Sequence, residues 1–490
     1  MKSFFLLAGL GLVSSAFAAA PEAADAASRQ DWRTVHALAA RHADLNVAGP
    51  DGTTALQWAA HWNDADAVKV LLAAGANPKL ANRYGVTPLS EAAAAGNAKI
   101  IEMLLVAGAD AKSLTTPDGE TVLMTASRAG NLDAVKLLVA HGADVNAKES
   151  YRGQTALMWA AAEHHADIVK LLLEHGADWK IQSLARDTNI PKLSAASSVT
   201  PMARGGLNAF HFAAREGDIE TGRVMLDSGV DINQVDADNT SGLVVAILNK
   251  RYTYAKFLLD RGADPNLADT RGRAALYAAI DMRNQDYSAM PAHKEDDPLP
   301  SLDLIQALLA RGANPNEQLT RFLPGRSGMD AGDTTLGPGT TPLMRAARAG
   351  DAAVMKALLA KGADPNLTTK DGNTALQFAA GVGYRDKNTK GTEAEALDAL
   401  KLAVSLGLDI NRENSRGETA LHGAAYRGAD TIVQYLIDQG ARLNAKTKQG
   451  FTPLDVAMGK NVLAQLPVPH DSTVDLIRKL GGVEGKEIKQ

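Results

Sequence analysis

Apolar residues return along this chain in two alternating helical stripes, each pair set off by turn residues. In Asp51-Gly-Thr-Thr-Ala-Leu-Gln-Trp-Ala-Ala60, Leu56, Ala59 and Ala60 keep the spacing of one helix face. Ala67-Val-Lys-Val-Leu-Leu72 follows, with Val68, Leu71 and Leu72 on a second stripe. The pattern predicts two short helices per segment. Asp51-Gly52 supplies a tight turn before the first, since glycine accepts positive φ without steric cost, and Thr54 is placed to cap it. Gly75 stops the second in the left-handed conformation favoured just past a helix. The small Ala59 and Ala60 let neighbouring helices approach closely. One such segment cannot bury its apolar face alone, but stacked neighbours can.

The segments repeat. His42-Ala-Asp-Leu-Asn46, Gly142-Ala-Asp-Val-Asn146, Gly262-Ala-Asp-Pro-Asn266, Gly362-Ala-Asp-Pro-Asn366 and Gly407-Leu-Asp-Ile-Asn411 are copies of one phrase. Thr54-Ala-Leu-Gln57, Thr87-Pro-Leu-Ser90, Thr341-Pro-Leu-Met344, Thr419-Ala-Leu-His422 and Thr452-Pro-Leu-Asp455 are copies of another. The basic step is 33 or 34 residues, lengthened at four places.

This period and these phrases resemble the ankyrin-repeat family, over nearly the whole chain after its first residues. The resemblance implies an all-α solenoid of about twelve helix-turn-helix units, with short β-hairpin fingers and a capping unit at each end. Such a solenoid acts by binding other macromolecules. Residues 21–182 then form an N-terminal cap, with Trp32, Val35 and Leu38 facing inward, and four units. An inserted loop covers 183–206. Further repeats span 206–318, one of them split by 286–300, and a Gly/Pro-rich loop covers 319–338. Repeats and a C-terminal cap occupy 339–482, one unit being split by 384–395, and a charged, mobile tail closes the chain at 483–490. Loops of this length are commonly functional or disordered.

The first eighteen residues belong to a different pattern. Met1-Lys2 is a short basic start, Phe4–Val13 is apolar, and Ala16-Phe17-Ala18 has the small-residue form of a cleavage site. This reads as a cleavable signal peptide of bacterial type, which places the mature chain in the periplasm or outside the cell. The chain has no cysteine, so disulfides, thiolate metal sites, cysteine nucleophiles and a lipid anchor on cysteine are all excluded. A formal net charge of −5, with both signs interspersed, argues against a nucleic-acid surface. No later segment has the roughly twenty apolar residues of a membrane span. The chain is expected to be a monomer.

In the family the residue after the Thr-x-Leu-x phrase points onto the concave face. The resemblance therefore assigns Trp58, Trp159, Phe212, Arg345 and Phe378 to that face, together with Glu91, Val245, Ala278 and Gly423. His61, Arg128, Arg215, Arg348 and Tyr426 lie three positions further on, on the same helix face, and Trp62 adjoins His61. Trp, Tyr, Phe and Arg dominate interface hot spots, and aromatics are only 5% of this chain, so their recurrence at one register points to a protein-binding groove. In a competing arrangement some of them pack on neighbouring fingers or under the long loops.

Chemistry is harder to find. His164-His165 cannot chelate together, because adjacent helical residues point about 100° apart. His141 and His175 precede the same turn in successive repeats, which suits contacts with terminal carbonyls, and His422 serves the repeat's own hydrogen bonding. Asp330 and Asp333 have no His or oxyanion motif beside them. No catalytic residue, metal or cofactor is expected. The function expected is an exported scaffold that binds a partner protein through its groove and fingers. The rivals are an enzyme whose site is assembled from the long loops and a secreted effector binding a host protein.

Overall fold

The computed structural model describes residues 21–187, 203–284, 297–323, 336–384, 390–460 and 469–488. The expected signal segment and the centres of the insertions lie outside them. The described residues form 24 α-helices arranged as twelve antiparallel pairs, together with one two-residue antiparallel β-pair and a terminal 3-10 turn. They divide into two compact units, one ending at Ala177 and one beginning at Asp178. The first holds five helix pairs and the second seven.

Most inner helices start from the same local chemistry. Thr54 accepts from the Gln57 backbone N–H, and Gln57 reaches back to the Thr54 N–H, a capping box that satisfies two otherwise orphaned donors. The same box recurs at Thr87/Ser90, Thr121/Met124, Asn208/His211, Thr374/Gln377, Thr419/His422 and Thr452/Asp455. In several repeats the third helical residue also reaches forward. Gln57 Nε2 donates to the Val86 carbonyl at 2.6 Å, Ser90 Oγ to Leu114 at 3.2 Å, and Gln377 Nε2 to Glu418 at 3.0 Å. Each of these acceptors lies in the finger of the next repeat, so one side chain both starts a helix and fixes its neighbour.

The Gly-Ala-Asp-x-Asn phrase has an equally direct physical meaning. Asp44 Oδ1 accepts from the Asn46 N–H, closing a tight turn, while Asn46 Oδ1 accepts from Asn77 N–H in the next repeat at 2.7 Å. Asn266 and Asn316 make the equivalent bonds to Asn314 and Asp364, each across 48 residues. The insertions within these two spans therefore loop out without breaking this ladder. At Ser183–Gly206 the described ends continue as a hairpin, Arg186 pairing with Arg204 and Asp187 with Ala203. Leu319 pairs with Thr340 and Gly339 across the base of the later Gly/Pro-rich loop in the same way.

Two expectations need correction. In the N-terminal cap Val35 is buried, whereas Trp32 and Leu38 are only half-buried, because among the described residues no further helix pair covers the outer side of this one. The C-terminal tail is docked rather than mobile over its described residues, 483–488. Val483 N–H donates to Asn444 Oδ1 at 2.9 Å and its carbonyl accepts from Thr452 Oγ1 at 2.8 Å. Gly485 N–H donates to Asp455 Oδ2 at 2.7 Å. The tail thus supplies the groups that a following finger would supply. The expected roles of three histidines hold: His141 and His175 approach the carbonyls of Leu137 and Leu171 at 2.9 and 2.8 Å, and His422 approaches Phe451 O at 3.2 Å.

Buried titratable groups in the ladder make stability depend on pH in opposite senses. His211 Nε2 lies 3.1 Å from the Thr240 carbonyl, and burial lowers its pKa from 6.5 to about 4. Its contribution is complete above pH 6.5 and is lost as pH falls toward 4, since the unfolded chain then binds a proton that the folded chain refuses. Gln occupies the same register in Gln57 and Gln377. His211→Gln is expected to match the native Tm at pH 7.5 and to lose less of it between pH 6.5 and 4, as measured by differential scanning calorimetry. Glu317 behaves oppositely. The helix Ala275–Arg283 has Ala274 where a capping hydroxyl normally sits, and the Glu317 carboxylate accepts the Ala274 N–H instead. Burial pushes Glu317 from 4.5 up to about 7, so its favourable state is fully present below pH 4.5 and is lost as pH rises through 7. Glu317→Gln is expected to raise Tm at pH 8 more than at pH 5, and an equal change at both would refute this assignment.

Candidate functional site

In the first unit the inner helices carry a row of partly exposed aromatic and charged side chains. Trp58 is half-buried on the helix Ala55–His61 and Trp62, which caps that helix, is 40% exposed. Their rings are stacked, with centroids 6.2 Å apart and planes 20° apart. His61 sits edge-on to both, at 5.5 Å from Trp58 and 5.0 Å from Trp62. The spacing of four residues between the tryptophans puts them on one helix face, and the one-residue offset of His61 turns its ring onto their edges. His61 Nδ1 lies 3.0 Å from Glu91 Oε2, on the inner helix of the next repeat.

Two repeats further along, the Arg128 guanidinium lies 5.0 Å over the Trp159 ring and 3.1 Å from Glu120 Oε1. Glu120 is held in turn by Thr125 Oγ1 at 3.0 Å. Arg128 is thus oriented from two directions while remaining 41% exposed in its side chain. The expected residues Trp58, His61, Trp62, Arg128 and Trp159 therefore all lie on partly open surface of this unit, with Trp159 partly covered by Arg128.

The second unit departs from expectation. Phe212, Arg345, Arg348 and Phe378, expected on an open groove, are 4%, 2%, 2% and 1% exposed. Arg345 Nε donates to Asp281 Oδ1 at 2.7 Å and its terminal amine to the Asn284 carbonyl, while Arg348 donates to Gly383 O at 3.2 Å. Val245 and Ala278 at the same register are buried as well. Around Arg345, Arg348 and Phe378, chain flanking the inter-helix insertions lies against these helices: Lys390 Nζ donates to the Arg283 carbonyl at 2.6 Å, and a Cβ on Gly423 would stand 2.5 Å from Val382 N. Buried guanidiniums in such a network act as internal ties, since removing one partner leaves an uncompensated charge. Arg215, 4.8 Å over the Phe212 ring, and Tyr426 remain partly exposed.

Sequence reasoning overlooked Glu120 as the group orienting Arg128, and Tyr84 and Tyr151, 67% and 53% exposed at the tips of two fingers. A signal existed for Tyr84, which stands just before the turn glycine Gly85 where other repeats carry Asp, as in Asp51-Gly52 and Asp118-Gly119. Among the described residues no cluster of His, Asp and Glu could hold a metal ion, and no helix is long and apolar enough to cross a membrane.

Comparison with known proteins agrees with this architecture. Residues 24–114, 91–183, 193–269 and 210–290 match "Ankyrin repeats (3 copies)", and 332–379 and 404–457 match "Ankyrin repeats (many copies)". The chain belongs to the ankyrin-repeat family, whose repeats serve as scaffolds for protein–protein interaction. It is similar to Ankyrin repeat and SAM domain-containing protein 6 of Rattus norvegicus, 34% identical over 24% of this chain and 11% of that protein. It also resembles Alpha-latrocrustotoxin-Lt1a of Latrodectus tredecimguttatus, 30% identical over 25% of this chain and 8% of that one. The match thus spans about a tenth of the length of these curated relatives. Among solved structures the human ASB11 ankyrin repeat domain aligns with 50% of this chain and 98% of its own, at 22% identity and a TM-score of 0.40.

The row and the core beneath it should separate on mutation. Trp62→Ala removes an aromatic stack at the surface and is expected to cost about 1 kcal/mol. Leu157→Ala, at a position 1% exposed, is expected to cost about 2–5 kcal/mol. Urea unfolding followed by tryptophan fluorescence reads this region, because all five tryptophans lie between Trp32 and Trp179.

Proposed function

We propose that this protein is an exported bacterial scaffold that recognises a partner protein on the inner-helix surface of its first unit. The observation that carries the reading is the stacked, partly exposed Trp58–Trp62 pair on a rigid helix, in a repeat whose other inner-helix positions, His61 apart, are packed away. Large rings held in one orientation offer binding area at little ordering cost, and tryptophan is among the commonest anchors of binding energy. Action through contact rather than catalysis fits the repeat family. Export is supported by the basic start, apolar run and Ala-Phe-Ala site of residues 1–18.

The test has two arms. Mature protein used as bait in periplasmic extract, with mass-spectrometric readout, is expected to retain a specific partner. Trp58→Ala is expected to weaken that partner's affinity about thirtyfold, corresponding to about 2 kcal/mol, and an unchanged affinity would move binding away from this surface. Intact mass of protein from the native host is expected to show Ala19 as the first residue, with Ala20 the next choice, and a chain still carrying Met1 would refute export by cleavage.

A further inference from the structure

Aromatic rings of this protein repeatedly carry a cation. Arg128 lies 5.0 Å over Trp159, Arg215 4.8 Å over Phe212, and Arg427 4.5 Å over Tyr384. The electron-rich ring face attracts the positive charge, and the guanidinium covers apolar area that would otherwise meet water. Trp58 and Trp62 form a stacked, partly exposed pair in the first unit, and among the described residues no cation stands over either ring. A carboxylate is close by, however: His61 touches both rings edge-on and lies 3.0 Å from Glu91 Oε2. The rings and the carboxylate are therefore within the span of one long cationic side chain. Arg128 shows the same combination completed inside the protein, with its guanidinium on Trp159 and an ion pair to Glu120 at 3.1 Å.

We infer that the Trp58–Trp62 pair with Glu91 is a docking site for a lysine or arginine side chain of a basic segment on the partner protein. This rests on the reading of the inner-helix surface as the binding face. The incoming cation lies on the exposed Trp62 face and takes the Glu91 carboxylate from His61, reproducing between two molecules what Arg128 does within one. Charge balance favours such a partner, since acidic side chains outnumber basic ones over residues 21–177.

The probe is a capped hexa-arginine peptide, titrated into the mature full-length protein by isothermal calorimetry, with hexa-glutamine as the neutral control. Saturable binding of the arginine peptide alone is expected. Trp62→Leu and Glu91→Gln are each expected to weaken it about three- to thirtyfold, and Trp62→Tyr, which keeps a ring face, to retain most of it. Glu102→Gln removes an exposed acid from the outer helix of the same repeat and is expected to change little. Unaltered melting curves confirm that the variants fold. No saturation up to about 1 mM, equal binding of hexa-glutamine, or an equal loss in Glu102→Gln would each overturn the inference. Equal retention by Trp62→Leu would overturn the role of the ring face. Binding of phosphatidylcholine vesicles through the same residues would reassign the site to a lipid headgroup. If the captured partner depends on Trp58 while the arginine peptide fails to bind, the binding surface stands and the cation assignment falls.

Discussion

In several inner helices the third residue makes hydrogen bonds that no isolated repeat could complete, and the array depends on them. Its side chain turns back to the N-terminal cap and forward to a carbonyl in the next finger, as Gln57, Ser90 and Gln377 do. These positions are almost fully buried. A bond left unmade there would cost about 1–3 kcal/mol of desolvation, so in these repeats the helix start is secured by the finger beyond it. The Asn bridges of the Gly-Ala-Asp-x-Asn phrase tie the same neighbours at the other end of the unit. Stability is therefore a property of neighbouring pairs.

This arrangement explains which irregularities the chain tolerates. The insertions at 286–300 and 319–338 leave the asparagine bridge closed, since Asn266 and Asn316 still reach the next repeat across 48 residues. A lost cap must be replaced from elsewhere. Ala274 has no side-chain oxygen, and Glu317 restores the bond from the adjoining finger at the expense of burying a carboxyl. At the chain's end the tail restores it with Gly485 and Val483, closing the array with backbone from outside the repeat pattern.

The two units use one register for different ends. In the first, the position after Thr-x-Leu-x carries Trp58 and Trp159, and the surface stays partly open around the tryptophan–histidine cluster. In the second, the same position carries Phe212, Val245, Ala278, Arg345 and Phe378, all buried. Arginine there is structural: Arg345 is bonded to Asp281 and to a helix-end carbonyl. A residue type that signals a binding hot spot when exposed becomes an internal tie when the chain folds over it.

Much of this was legible in the sequence, because the repeat writes its own local physics many times over. The Thr caps, the turn glycines and the apolar stripes all follow from residue types at fixed spacing, and the structure repeats them. The register that aims Trp58, Trp62 and Arg128 at the inner surface was legible for the same reason. Exposure was not. Whether Arg345 or Phe378 meets solvent depends on where chain more than thirty residues away comes to rest, as Gly383 does on Arg348 and Lys390 on Arg283. Periodicity carries no information about such contacts. The partnership of His61 with Glu91, thirty residues on, and the docking of residues 483–488 were likewise decided only by packing between repeats, because a helical pattern specifies which face a side chain occupies and not what will lie against it.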